Sequence, residues 1–196
     1  MAETITNLLL VGVGGQGILL ASEILAEACM LAGFDVKKSE IHGMSQRGGS
    51  VVSHVRFGRE VFSPIVPEGE GDILFGFELL ETYRYLPLLK PGGAVVANDL
   101  RILPPGVLLG AENYPEGVAE SIAASFPDFL LVDCQKIATE AGNVRAANTV
   151  LLGAVSRRLD IAEEYWLQAL EKLVPKKALA VNRAAFRLGR SLERPA

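Results

Sequence analysis

The stretch that most restricts the fold is "LLLVGVGGQGILLASEILAEA", Leu8 to Ala28. A short apolar run ends in glycines, and an amphipathic stripe follows at once. Residues 5–13, "ITNLLLVGV", lack polar alternation and read as a strand buried on both faces, the pattern of a parallel sheet. From Gln16 to about Ala32 the residues Ile18, Ala21, Leu25, Ala28 and Ala32 fall on one helical face, and Gly33 stands where a helix C-cap belongs. Gly12, Gly14 and Gly17 between them match the spacing G-x-G-x-x-G. That turn lets backbone N–H groups approach a pyrophosphate at a helix N-terminus. The same three glycines also serve a helix that merely packs close to its strand, so both a ligand turn and a structural turn stay open.

The alternation of strand and helix continues. Strands are expected at Asp35–Glu40, at residues 50–57, and at Asp72–Phe77, Ala94–Ala97 and Phe129–Val132. Helices are expected at Glu78–Leu89, Pro115–Ser125 and Gln135–Ala141, with "ILPPGVLL" an irregular edge. In residues 50–57, Val51, Ser53, Val55 and Phe57 alternate with Val52, His54 and Arg56; His54 reads as a satisfied strand residue. Beyond Asn148 the pattern is helical throughout, in three segments, Asn148–Leu159, Ile161–Leu173 and Ala178–Leu192. The expected fold is α/β: a three-layer, Rossmann-like, mainly parallel sheet with helices on both faces and a helical C-terminal part. The 196 residues show no linker or repeat and are expected to form a single domain, 1–196.

Ligands of such sheets gather at the carboxyl ends of the strands. The Gly12–Gly17 turn and the polar loop Ile41–Gly49 are therefore expected to be neighbours. The turn supplies Gly12, Gly14, Gly15, Gln16 and Gly17 as a phosphate-binding candidate. The loop supplies His42, Ser45, Gln46, Arg47, Gly48 and Gly49, of which Arg47 is the better anchor because its planar fork binds carboxylate or phosphate in two bonds. A nicotinamide site would want an acidic residue at the end of the second strand, and Glu40 is the candidate.

Composition bounds the chemistry. The chain has two cysteines, Cys29 and Cys134, and two histidines, whereas an iron–sulfur cluster usually takes four thiolates. Such a chain holds no cluster or structural zinc alone, and distant cysteines suit a reducing, cytoplasmic setting. The N-terminus lacks the order of a signal peptide, and no apolar run approaches the roughly 18 to 20 residues of a membrane span. A net charge of −4 argues against a general nucleic-acid binder. The last 25 residues nonetheless hold seven of the 19 basic side chains and one of the 23 acidic ones. Arg183, Arg187, Arg190 and Arg194 share a helical face there, either solvated or docked on an acidic partner.

Three segments in order, "GVGGQGILLASEILAEA", "SEIHGMSQRGGSVVSHVRFG" and "SPIVPEGEGDILFGFE", resemble the gamma-type subunits of 2-oxoacid:ferredoxin oxidoreductases. "GNVRAANTVLLGA" and "NRAAFRLG" extend the likeness from about Ile5 to Arg190, and the loop form "HGMSQRGG" is similar to the indolepyruvate branch of that family. The resemblance implies an oxidative decarboxylation of a 2-oxoacid to an acyl-CoA. Thiamine diphosphate and iron–sulfur clusters are then held by a large partner subunit, ferredoxin accepts the electrons, and coenzyme A takes the acyl group. This chain is then the cluster-free subunit, without membrane or nucleic-acid partner. In isolation, both a monomer and a homodimer paired through apolar surface meant for the large subunit stay open. The competing readings are a stand-alone NAD- or FAD-dependent oxidoreductase and a regulatory binding module.

Overall fold

The computed structural model describes residues 5–42 and 49–193. Six residues of unbroken apolar or glycine character, Leu8 to Val13, make the body of β1 (Thr6–Val13), followed by α1 (Ile18–Leu31), β2 (Asp35–His42), β3 (Ser50–Gly58) and β4 (Gly71–Gly76). Then come α2 (Leu79–Arg84), β5 (Leu89–Asn98), the single turn α3 (Pro105–Leu108), α4 (Val118–Ser125), β6 (Phe129–Val132) and α5 (Cys134–Glu140). The chain closes on α6 (Ala147–Ser156), α7 (Glu163–Leu173) and α8 (Lys176–Arg190).

The six strands lie in the order β2-β3-β1-β4-β5-β6. The β1–β4, β4–β5 and β5–β6 pairs are parallel, while β3 is antiparallel to both β1 and β2. Five strands thus share one direction, as expected of a mainly parallel sheet. β3 is the exception.

Because both faces are covered, the strands alternate between two apolar cores rather than between core and water. Leu8, Leu10, Val55, Phe75 and Val96 face α1 and α5–α8; Leu9, Val11, Val52, Leu74 and Val95 face α2 and α4. The three layers follow directly. Helix α1 ends as its sequence predicts: Gly33 is left-handed at φ 89°, its N–H reaches Met30 O, and the N–H of Phe34 reaches Cys29 O, a Schellman closure.

Several boundaries differ from expectation. The helix expected over Glu78–Leu89 stops at Arg84 and passes through a 3-10 turn at Leu86–Leu88, because Pro87 has no N–H to continue an α-helical ladder. The strand expected at Ala94–Ala97 begins already at Leu89, pairing with Gly71 before a register shift. The helix expected from Pro115 begins at Val118, after Gly117 in left-handed geometry (φ 66°). Within "ILPPGVLL", residues 105–108 are helical.

The basic stripe of α8 faces α7. Arg183 pairs with Glu171 at 2.7 Å and Arg187 with Glu163 at 3.0 Å, and Arg190 reaches Ser156 Oγ at 2.7 Å. Three of its arginines are spent within the chain; Arg194 lies outside the described residues. Beneath the stripe α8 crosses α6 on two glycines. A Cβ on Gly153 would lie 2.1 Å from Phe186 O, and one on Gly189 would lie 1.9 Å from Val150 O.

The neighbours are backbone, so they cannot yield by a side-chain rotation, and Gly189→Ala is expected to cost at least the ~1–3 kcal/mol typical of overpacking. The urea midpoint measures it; an unchanged midpoint contradicts the contact. A second prediction concerns His54, which is buried and whose Nδ1 accepts the Val66 N–H at 3.1 Å. Burial holds its pKa below the ordinary value of 6.5. As the pH falls, the unfolded chain takes this proton first, so the stabilisation is complete above the unfolded pKa and is lost on acidification through it toward the lower folded value. The urea midpoint should fall as the pH drops below about 6.5, and His54→Gln should make that fall shallower.

Candidate functional site

At the carboxyl end of β1 the chain must turn within four residues into α1. Gly17 makes this turn in left-handed geometry (φ 79°), and a Cβ there would meet Asn148 Nδ2 at 2.6 Å, so α1 starts hard against α6. Gly12 answers to packing. A Cβ on it would lie 2.6 Å from Gln16 Oε1 and 2.8 Å from Phe77 Cβ.

Between those glycines Gln16 closes the turn. Its Oε1 accepts the Val13 N–H at 2.6 Å, and its Nε2 donates to Phe77 O at 2.8 Å, just beyond β4. Asn98 at the end of β5 continues the same line: its Nδ2 donates to Phe77 O at 3.2 Å and its Oδ1 accepts the Cys134 N–H at 3.2 Å. From β1 the chain leaves toward β2, and from β4 toward β5. The β1–β4 boundary is therefore the switch point where open α/β sheets receive ligands. The amide of Gln16 sits across it.

Three adjoining cavities wrap around the start of α1. The first, about 510 Å³, has Gly14, Gly15, Gly17, Leu19 and Val51 on its walls. A second of about 400 Å³ shares Gly15 and Gly17 and adds Gln16, Asn98, Arg145 and Asn148. A third of about 360 Å³ shares Arg145 and Asn148 and adds Lys177 and Asn182. The groove is apolar at one end and amide- and cation-rich at the other. Neither α1 nor α6 has a side-chain N-cap, and no acidic residue stands in either first turn. The uncapped N-terminus of α1 and Arg145 thus border one cavity, an arrangement that favours an anion. Among the described residues that line the groove there is no histidine or cysteine.

The polar loop joins this place from the other side. Gly49 O accepts the Gly14 N–H at 2.9 Å, and Ser50 lies opposite Val13 in the ladder, so the expected meeting of turn and loop occurs at this contact. Ser45, Gln46, Arg47, Gly48 and the side chain of His42 lie outside the described residues. Glu40 is placed elsewhere. β3 stands between β2 and β1, and the Glu40 carboxylate accepts from Lys38 Nζ at 2.8 Å and Ser22 Oγ at 3.1 Å. A ribose at the glycine turn is out of its register, which removes the support for a nicotinamide site. Both cysteines are fully buried; burial pushes the Cys29 thiol up to about 12 and raises that of Cys134, with Asp133 adding to it. Among the described residues no three His, Cys, Asp or Glu are grouped to hold a metal.

Sequence reasoning assigned no role to Asn98, Arg145 or Asn148. The last two lie inside "GNVRAANTVLLGA", so a signal existed there, whereas Asn98 has none beyond its place at a strand end.

A model of the pyruvate ferredoxin/flavodoxin oxidoreductase family matches residues 7–192. The chain is 43% identical to the indolepyruvate oxidoreductase subunit IorB of Pyrococcus horikoshii, over 93% of each chain. It superposes with a TM-score of 0.70 on a keto/oxoacid ferredoxin oxidoreductase gamma subunit from Geobacter sulfurreducens, at 25% identity and covering 94% of this chain and 95% of that one. A 2-oxoglutarate:ferredoxin oxidoreductase from Magnetococcus marinus, solved with 2-oxoglutarate, coenzyme A and succinyl-CoA bound, shares the fold over 95% of this chain and 30% of that longer one, at 23% identity and a TM-score of 0.71.

Gln16→Ala leaves the Val13 N–H without its partner and removes one of two donors from Phe77 O. It is expected to cost about 1–3 kcal/mol, the range for a buried polar group left unmade, read from urea unfolding. A loss below about 0.5 kcal/mol would mean that the bridge does not hold the turn.

Proposed function

We propose, for a chain that belongs to the pyruvate ferredoxin/flavodoxin oxidoreductase family, a role as the small subunit of a 2-oxoacid:ferredoxin oxidoreductase of the indolepyruvate type. The chain is the cluster-free member of that assembly. Two cysteines, both buried with raised thiol pKa values, cannot supply the four thiolates of a cluster. A large partner subunit holds the thiamine diphosphate and iron–sulfur clusters, which supply decarboxylation of the 2-oxoacid and electron transfer to ferredoxin. Free buried thiols suit a reducing cytoplasm.

The observation that carries this chain's own share is the groove at the carboxyl ends of the strands, and we assign it to coenzyme A. The donor set fits that cosubstrate. The uncapped first turn of α1, with Arg145 and Lys177, suits its phosphates, while Leu19, Leu20 and Val51 suit its apolar arm. Gly12, Gly14, Gly15, Gln16 and Gly17 shape the floor. We assign His42, Gln46, Arg47, Gly48 and Gly49 to the subunit contact or the active site, with Arg47 as the anchor for a carboxylate or phosphate. A coenzyme A molecule held here keeps its thiol end directed at the partner, and the chain contributes orientation and exclusion of water.

The test is reconstitution. Chain and large subunit together should reduce ferredoxin only with both an arylpyruvate and coenzyme A present, and the chain alone should do neither. Arg145→Ala should raise the KM for coenzyme A about tenfold, as expected for loss of one charge-assisted bond. Micromolar NADH binding by the purified chain, with no gain on adding the partner, would sink this reading in favour of a stand-alone nucleotide enzyme.

A further inference from the structure

Helix α2 carries two buried carboxylates where packing alone asks for none. Glu78 is 1% exposed and Glu81 4%, whereas their neighbours Leu79 and Leu80 show that this helix can cover the sheet with apolar side chains. Burying a carboxylate costs several kcal/mol unless donors surround it. Donors do surround both. Glu78 accepts the Glu81 N–H at 2.8 Å, the Ile102 N–H at 3.1 Å and the Tyr114 hydroxyl at 3.1 Å. Glu81 accepts Arg84 Nη1 at 2.6 Å on one oxygen and Ser50 Oγ at 2.6 Å on the other, with Tyr85 Oη 3.3 Å from the same hydroxyl.

The helix bearing them is fixed on the sheet. A Cβ on Gly76, in β4, would lie 1.9 Å from Thr82 Oγ1, so α2 rests on β4 with no room to slide. From this mount Glu81 reaches across to Ser50, the first residue of β3. The residue before it, Gly49, holds the Gly14 N–H, and the residue after it, Val51, walls the groove opposite Gly12.

We infer that Glu81 is a positioning residue which, through Ser50, sets the Gly49–Gly14 contact and with it the glycine turn and the Val51 wall of the groove. Its consequence for ligand binding rests on the assignment of that groove to coenzyme A. Glu81 is absent from the lining of the groove and acts from the opposite face of the sheet.

Hydrogen–deuterium exchange on the full chain tests the tie itself. Ser50→Ala and Glu81→Leu should each speed exchange of the Gly14 amide about tenfold while the amides of α7 keep their rates, and Ser50→Thr, which retains the hydroxyl, should restore slow exchange. In the complex with the large subunit, Ser50→Ala should raise the KM for coenzyme A about tenfold with little change in kcat, the pattern for loss of uniform binding. Unchanged exchange at Gly14, or acceleration spread equally over α7, overturns the inference. Fast Gly14 exchange with an unaltered KM upholds the tie and removes the coenzyme A assignment.

Discussion

One side-chain amide holds the working end of this molecule together. Gln16 takes the last N–H of β1 and gives its own N–H to the carbonyl beyond β4, so the turn into α1 is tied to both strands at the switch point. Gly12 must be glycine because this amide and Phe77 already occupy the space of a Cβ. Asn98 then locks the same carbonyl to β5 and α5, and Asn148 lies against Gly17. A dinucleotide fold leaves that crevice open for pyrophosphate; here it is bridged, and the open space lies around the first turn of α1 instead.

The inserted strand β3 has the second large effect. By lying antiparallel between β1 and β2 it moves Glu40 one strand away, roughly 5 Å, and puts Val51 and Gly49 in its place beside the turn. An acid that would hold a ribose in an all-parallel sheet becomes the partner of Lys38 and Ser22. Gly49, just before β3, is thereby brought to the groove's edge. The groove thus lies on one side of the sheet, and the buried carboxylates Glu78 and Glu81 lie on the other.

Much of this was legible without coordinates. The apolar run of residues 8–11, the stripe from Ile18 to Ala28 and Gly33 as the stop produced β1, α1 and the Schellman closure as read, because each depends on spacing within a few residues of chain. Alternation across residues 50–57 located β3 and its two faces but not its direction, since a pleat has the same period whichever way its neighbour runs. The α8 arginines read as a solvated face first and as a docking face for a partner second. Only the crossing of α7 placed Glu163 and Glu171 beneath them.

The amino-acid sequence by itself determined the βα order, the glycine turn and the supply of only two thiols, too few for a cluster held by this chain alone; all of these are properties of local spacing or of counting. Tertiary structure alone decided that Gln16 bridges the switch point, that Glu40 is out of reach, that Asn98, Arg145 and Asn148 join the groove, and that Glu81 grips Ser50. Those residues lie up to 132 positions apart along the chain, from Gln16 to Asn148. Hydrogen bonds act over about 3 Å, so nothing short of the folded sheet, with one antiparallel strand in an otherwise parallel set, can say which of them meet.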